Sequence, residues 1–303
     1  MNIIITIIIL VILGLILGTD LFHLKVRKNI DELHYAATKD MWYKKEGNKK
    51  LIICLHGMYS TPQTFVEFAE QFNGEGWDVY LPALPASART LEELEQIGPW
   101  TWKESLAIAR KKILEASKGY ETVILGGHSQ GGSLTLALVP DLPFIKGVFI
   151  IASPVSLYGN HISYWKNIGI FFSGLLHFVV PKGIKEKTDT SDERLAVENI
   201  CDAEGIFYPL TLHTFKLGLK KMLPRLREIH QPLFLAYEKG DTMVNFSNME
   251  KIAQSVSSVT VVEKVFDTSK SEEPYGYRHQ LLNYKPTKLE LFKALNEFIG
   301  SIG

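Results

Sequence analysis

Beyond residue 50 the chain alternates short apolar runs with amphipathic stretches. Residues 51–56 (LIICLH) are almost wholly apolar and predict a buried strand, as do 78–81, 122–126 (TVILG), 147–152 (GVFIIA), 232–237 (PLFLAY) and 259–266. Helix-like stretches fall between them, near 62–73, 100–117, 131–139, 246–256 and 287–299. Strands that are apolar on both faces and separated by helices predict an α/β protein, with a mostly parallel sheet covered on both sides. No internal repeat and no low-complexity tract interrupts the pattern.

One insertion does interrupt it, between about 156 and 230. It is rich in aromatics and holds an apolar stretch, 168–180 (IGIFFSGLLHFVV), too short to span a bilayer. A helical cap over the carboxyl edge of the sheet is the simplest account, because a doubly wound sheet binds ligands at that edge. Phe171, Phe172 and Leu175 are then candidates for the wall of a substrate pocket, with insertion of the run into a membrane as the competing reading. Residues 208–229 mix Leu, Phe and Met with Lys216, Lys220, Lys221, Arg225 and Arg227. That pattern predicts a solvated basic face on a cap helix, in preference to a surface for anionic lipid.

The amino terminus follows a different rule. Residues 3–18 (IIITIIILVILGLILG) are aliphatic apart from Thr6, Gly14 and Gly18, and Leu21 and Phe22 extend the stretch. This length approaches that needed to cross a bilayer core. A cleaved signal peptide fits poorly, since no Lys or Arg precedes the run and no small-residue cleavage site follows it. The expectation is an uncleaved, single-pass transmembrane helix. Lys25, Arg27, Lys28, Lys39, Lys44, Lys45, Lys49 and Lys50 all follow it. The positive-inside bias then places the remaining domain on the cytoplasmic face of the cell membrane. The expected organisation is an anchor over 1–24, a linker and first edge segment over 25–50, a core built from 51–155 and 231–303, and the cap over 156–230.

Composition narrows the function. With 303 residues, 46% hydrophobic and 22% charged, the chain is long and apolar enough for a large core. Lys+Arg and Asp+Glu both number 33, so no bulk charge is available to grip nucleic acid. Two cysteines, Cys54 and Cys201, lie far apart with no His or Cys cluster near them. They make neither a disulfide scaffold nor a zinc site and are read as small buried hydrophobes.

The chemistry is carried by 122–132, TVILGGHSQGG: an apolar strand, the turn Gly127-His128-Ser129-Gln130-Gly131, then a helix. This is G-x-S-x-G in the strand–turn–helix setting that gives it meaning. The flanking positions are glycine because a Cβ in so tight a turn would strike neighbouring backbone. Ser129 is held above the sheet at the positive end of the following helix. No strand leads into G-x-G-x-x-G, which argues against a nicotinamide dehydrogenase. No metal-ligand cluster is visible, and no cofactor is implied.

With this turn the chain resembles the α/β-hydrolase family, and within it the capped monoacylglycerol lipases and small bacterial carboxylesterases. The resemblance covers about 50–300. It implies an α/β-hydrolase fold and an oxyanion hole formed by the backbone N–H groups of Met58, after the His56-Gly57 pair, and Gln130. Gly57 allows close approach of the backbone, and His56 is structural. Family order places the acid and then the base after the serine. Asp241, in the turn after 232–237, takes the acid position, with Glu238 as its competitor and Asp267 a distant third. His279 alone meets the order for the base, although the loop before it is longer than is usual in the family. His128 is expected to pack structurally. Where the family often carries Leu-Pro-Gly-His-Gly, this chain has Leu81-Pro82-Ala83-Leu84-Pro85.

The resemblance implies a serine hydrolase that cleaves carboxylic esters; with the expected anchor and the apolar cap, a membrane-anchored enzyme acting on a lipidic ester such as a monoacylglycerol or lysophospholipid is expected, and the sequence identifies no protein partner. A thioesterase, acyltransferase or amidase using the same residues is the alternative, and a tethered binding module without catalysis a further one.

Overall fold

The computed structural model describes residue 6 and residues 38–85, 87–88, 90–159, 162–184, 206–269 and 278–302. Nine strands are present among them. β1 (Met41–Tyr43), β2 (Lys50–Leu55), β3 (Asp78–Leu81), β4 (Thr122–His128), β5 (Ile145–Ile151), β8 (Leu233–Glu238) and β9 (Val261–Phe266) form one sheet, in the order β1-β3-β2-β4-β5-β8-β9. Only β1 runs antiparallel. β6 (Gly183–Ile184) and β7 (Ile206–Phe207) pair separately as a small antiparallel ladder.

The continuous apolar runs are explained by the two faces of the sheet. Leu51, Ile53, Leu55, Val123, Leu125, Val148, Ile150, Leu233 and Leu235 join one buried cluster. The alternate positions Ile52, Cys54, Val79, Ile124, Phe149, Ile151 and Phe234 join the other. Each fully buried Leu, Ile, Val or Phe contributes about 1.5–3 kcal/mol, so both halves of the period-two pattern hold the fold together. Helix α1 (Val66–Gly74) covers the second face through Phe68 and Phe72, with α9 (Lys285–Gly300) beside it through Leu291, Leu295 and Phe298. The first face is covered by α3 (Trp102–Ala116), α4 (Gln130–Leu138), α7 (Pro209–Met222) and α8 (Ser247–Ser255).

The periodicity missed helix α2 (Leu91–Ile97), β1 as a paired strand and the β6–β7 ladder. A local signal for α2 exists. The Thr90 side chain accepts from Glu93 N–H while Glu93 bonds back to Thr90 N–H, a capping box that α3 repeats with Thr101 and Glu104.

Between β5 and β8 lie α5 (Tyr164–Phe171), α6 (Ser173–Val179) and α7. α7 is part of the main body as much as of any cap: Phe215, Leu219 and Met222 enter the sheet's core cluster. The basic residues of 208–229, three on α7 and two in the 3-10 turn 223–228 that follows it, divide. Lys220, Lys221 and Arg227 are exposed, Arg225 pairs with Asp141 and Glu228, and Lys216 Nζ donates to the carbonyls of Ile170 and Phe171 at the end of α5. Among the described residues no helix is long and apolar enough to cross a membrane. The anchor predicted over 1–24 lies, apart from Thr6, outside the described residues, as does Cys201.

Candidate active site

β4 ends at His128, and Ser129 follows with φ +54° and ψ −124°, before Gln130 opens α4. This backbone region is left to glycine in most chains, and a serine held there stores strain of about 1–3 kcal/mol. The turn is locked by Ser129 N–H donating to the Ile151 carbonyl of β5 at 2.9 Å. The glycines permit the close approach. A Cβ on Gly127 would lie 2.4 Å from the Gly131 carbonyl carbon, and one on Gly131 only 1.9 Å from the Leu55 carbonyl oxygen. Since Leu55 ends β2, the same contact seats α4 against the strand leading to His56 and Gly57.

Gly57 lies beside the serine, so that a Cβ there would be 3.1 Å from Ser129 Cβ. Met58 is the next residue, and Gln130, as the first residue of α4, has an N–H with no helical acceptor. His56 fixes this corner. Its Nδ1 donates to the Gly57 carbonyl at 2.8 Å and its Nε2 accepts from Leu84 N–H at 2.9 Å. The altered segment 81–85 is thus tied directly to the loop beside Ser129. Burial lowers the His56 pKa to about 4, against the opposing pull of its bond to the Gly57 carbonyl. Tyr59, at φ +57°, continues the loop and accepts from Tyr208 N–H at the start of α7.

The acid turn follows β8. Asp241 is buried; its Oδ1 accepts from Met243 N–H at 2.7 Å and Val244 N–H at 2.9 Å, and its Oδ2 lies 2.7 Å from His279 Nδ1. The carboxylate is held by its own turn and presents one free oxygen to the imidazole. Glu238, the competing acid, is also buried but faces Gly240, Thr268 and Arg278. Asp267 pairs with Lys239 near the surface.

His128 links the base to the nucleophile turn. Its ring centroid is 4.7 Å from that of His279, and its Nε2 lies 2.9 Å from the His279 carbonyl oxygen. Burial first, and the nearby His279 second, depress its pKa to about 3, so it is neutral at physiological pH. The sequence identified this residue as packing; its bond to the base loop was not foreseen.

Phe171 is exposed, while Phe172 and Leu175 are half-buried. Phe171 and Phe172 meet edge to face at 4.9 Å. Cys54 lies in the core, its thiol pKa pushed up by burial. Among the described residues no three His, Cys, Asp or Glu side chains gather as metal ligands would.

A strained serine at the strand–helix turn, a buried Asp–His pair and a glycine backbone beside the serine define a hydrolase-type site on a doubly wound sheet. Residues 46–283 match the model of the family described as serine aminopeptidase, S33, and the chain belongs to that family of α/β-hydrolases. A thermostable monoacylglycerol lipase of Bacillus sp. (strain H-257) is 27% identical over 106 residues, which are 35% of this chain. The match spans 41% of that relative's length. The fold is shared with the monoacylglycerol lipase of Paleococcus ferrophilus (TM-score 0.68, 14% identity, 87% of this chain and 98% of the other). It is shared equally with a soluble variant of the monoglyceride lipase of Saccharomyces cerevisiae (TM-score 0.68, 14% identity, 91% and 97%).

Proposed function

We propose that this protein is a serine hydrolase of carboxylic esters, acting on a lipidic acyl ester such as a monoacylglycerol or lysophospholipid. The observation that carries the reading is the buried Asp241–His279 pair, tied through His128 to the turn that bears Ser129. In this reading Ser129 Oγ attacks the ester carbonyl as His279 Nε2 takes its proton. Asp241 holds the Nδ1–H tautomer and balances the imidazolium. The Met58 and Gln130 N–H groups receive the developing oxyanion, a role in which one lost donor costs about 2.7–4 kcal/mol. His279 then returns its proton to the leaving alcohol, and water activated by the same imidazole releases the acid.

The lipidic substrate is supported by the monoacylglycerol lipases among the relatives and by the exposed aromatic and aliphatic side chains Tyr164, Trp165, Phe178 and Val179. Phe172 and Leu175 are proposed as pocket wall, with Phe171 at its rim. Residues 3–18 are proposed to anchor the enzyme in the cell membrane, with the catalytic domain on the cytoplasmic side.

Fluorophosphonate labelling of the wild type and Ser129→Ala, followed by chain-length profiling on p-nitrophenyl esters, tests the catalytic reading. Labelling confined to the wild type and an optimum at long chains are expected; a wild type inert to both probes overturns it. Comparing membrane and soluble fractions with and without residues 1–24 tests the anchor. The family description keeps amide hydrolysis as a second reading, separated by turnover of aminoacyl anilides against esters.

A further inference from the structure

Glu238 ends β8 and is buried, with both of its oxygens engaged. Oε2 accepts from Gly240 N–H, and Oε1 accepts from Thr268 N–H at 2.8 Å and Thr268 Oγ1–H at 3.0 Å. Arg278 Nη1 lies 3.9 Å from Oε1. The Arg278 guanidinium also rests on Gly240, so closely that a Cβ there would fall 2.2 Å from Nη1. Four points therefore meet on one carboxylate: the end of β8, the turn leading into Asp241, the chain just past β9 and the residue before His279. Arg278 sits at φ +50°, a conformation that side-chain-bearing residues rarely adopt and that surrounding contacts must hold.

This arrangement bears on the long loop before His279. Thr268 precedes that loop and Arg278 closes it, and the same carboxylate holds both. We propose that Glu238 is a positioning residue for the Asp241–His279 pair: it fixes the turn that aims Asp241 and, through Arg278, the backbone that presents His279. The inference rests on the serine-hydrolase reading above.

Charge is part of the arrangement. Two buried carboxylates, Glu238 and Asp241, lie three residues apart, and among the described residues Arg278 is the cation set against Glu238. Among the described residues, the other groups around His279 are Asp241 on the turn after β8 and neutral His128 beside Ser129; Lys239 is paired with Asp267 at the surface. Glu238→Gln keeps an oxygen for Thr268 but loses the charge and the acceptor for Gly240. Arg278 is then uncompensated and opposes protonation of the nearby imidazole. Arg278→Met leaves Glu238 uncompensated and favours it.

The experiment is the pH profile of kcat/KM on a p-nitrophenyl ester for the wild type, Glu238→Gln and Arg278→Met, with thermal melts as the control for folding. The expected result is a fall in kcat of about tenfold for Glu238→Gln, with KM within about twofold. The acid limb should move by about half a pH unit to lower pH in Glu238→Gln and to higher pH in Arg278→Met. A loss of structure alone does not give shifts of opposite sign. An active wild type with variants whose limbs stay put, or move together, overturns the inference and leaves the hydrolase reading intact. A wild type inert to ester and fluorophosphonate overturns both.

Discussion

His128 Nε2 lies 2.9 Å from the carbonyl oxygen of His279, with the two imidazoles 4.7 Å apart. The carbonyl is an acceptor only, so Nε2 carries the proton and donates. Nδ1 is then bare, and it is buried without a hydrogen-bond partner among the described residues. His128, the residue before Ser129, thus holds the backbone of His279. In the proposed mechanism, removing it loosens the base without removing a group that touches substrate. His128→Ala is expected to lower kcat about tenfold, near the worth of one buried hydrogen bond, while KM changes little. Steady-state kinetics on a soluble ester decide this, and an unchanged kcat shows the bond to be idle.

The same burial makes the protein acid-sensitive. The His56 and His128 pKa values lie at about 4 and about 3, below the ordinary 6.5, because burial penalises the charged ring. The unfolded chain therefore binds more protons below pH 6.5. The stability linked to each group is fully present above that value and falls as pH drops towards the folded pKa. The slope is about 1.4 kcal/mol per pH unit for each histidine. Denaturant melts between pH 7.5 and 5 should show this loss, and His128→Ala should reduce the slope by one proton. A wild type equally stable at both pH values counts against two neutral buried imidazoles.

Ser129 is half-buried and held in a strained backbone conformation at its turn. Glycine adopts φ +54°, ψ −124° without the Cβ penalty. Ser129→Gly is therefore expected to abolish ester cleavage and raise stability by about 1 kcal/mol, the relief outweighing the added freedom of the unfolded chain. Calorimetry beside an activity assay tests it. A lower melting temperature than that of wild type means the serine turn is not strained.

Much of this was legible because strict local rules apply. Apolar runs such as 51–55 must be strands buried on both faces, and a serine between Gly127 and Gly131 after such a run has few other conformations open to it. Local pattern failed where a short element is fixed by its neighbour. β1 is three residues long and exists through its pairing with Leu81, Tyr80 and Val79. Helix α2 is short, with a capping box rather than a long apolar stripe to mark it. Glu238 and Asp241 could not be separated by spacing alone. What distinguishes them is a contact across 38 residues from Asp241 to His279, and another across 30 from Glu238 to Thr268. The tie from His128 to His279 spans 151 residues, beyond the reach of any local pattern.

Two glycines in the site make opposite demands. A Cβ on Gly131 would meet the Leu55 carbonyl oxygen at 1.9 Å, and that oxygen belongs to a central strand that cannot move. Gly131→Ala is expected to give no stably folded protein, by the overpacking argument taken to backbone contact. A Cβ on Gly57 would instead lie 3.1 Å from Ser129 Cβ, a contact relieved by a shift of a few tenths of an ångström. The fold should survive Gly57→Ala, with the loop carrying Met58 displaced from Ser129. Because preorganised donors lose most of their effect when misplaced, kcat should fall about 10–100-fold while the melting temperature stays within a few degrees. Circular dichroism melts and ester kinetics on the two variants form the test. A fully active Gly57→Ala enzyme removes Met58 from the proposed oxyanion site, and a folded Gly131→Ala protein removes the steric reading of the turn.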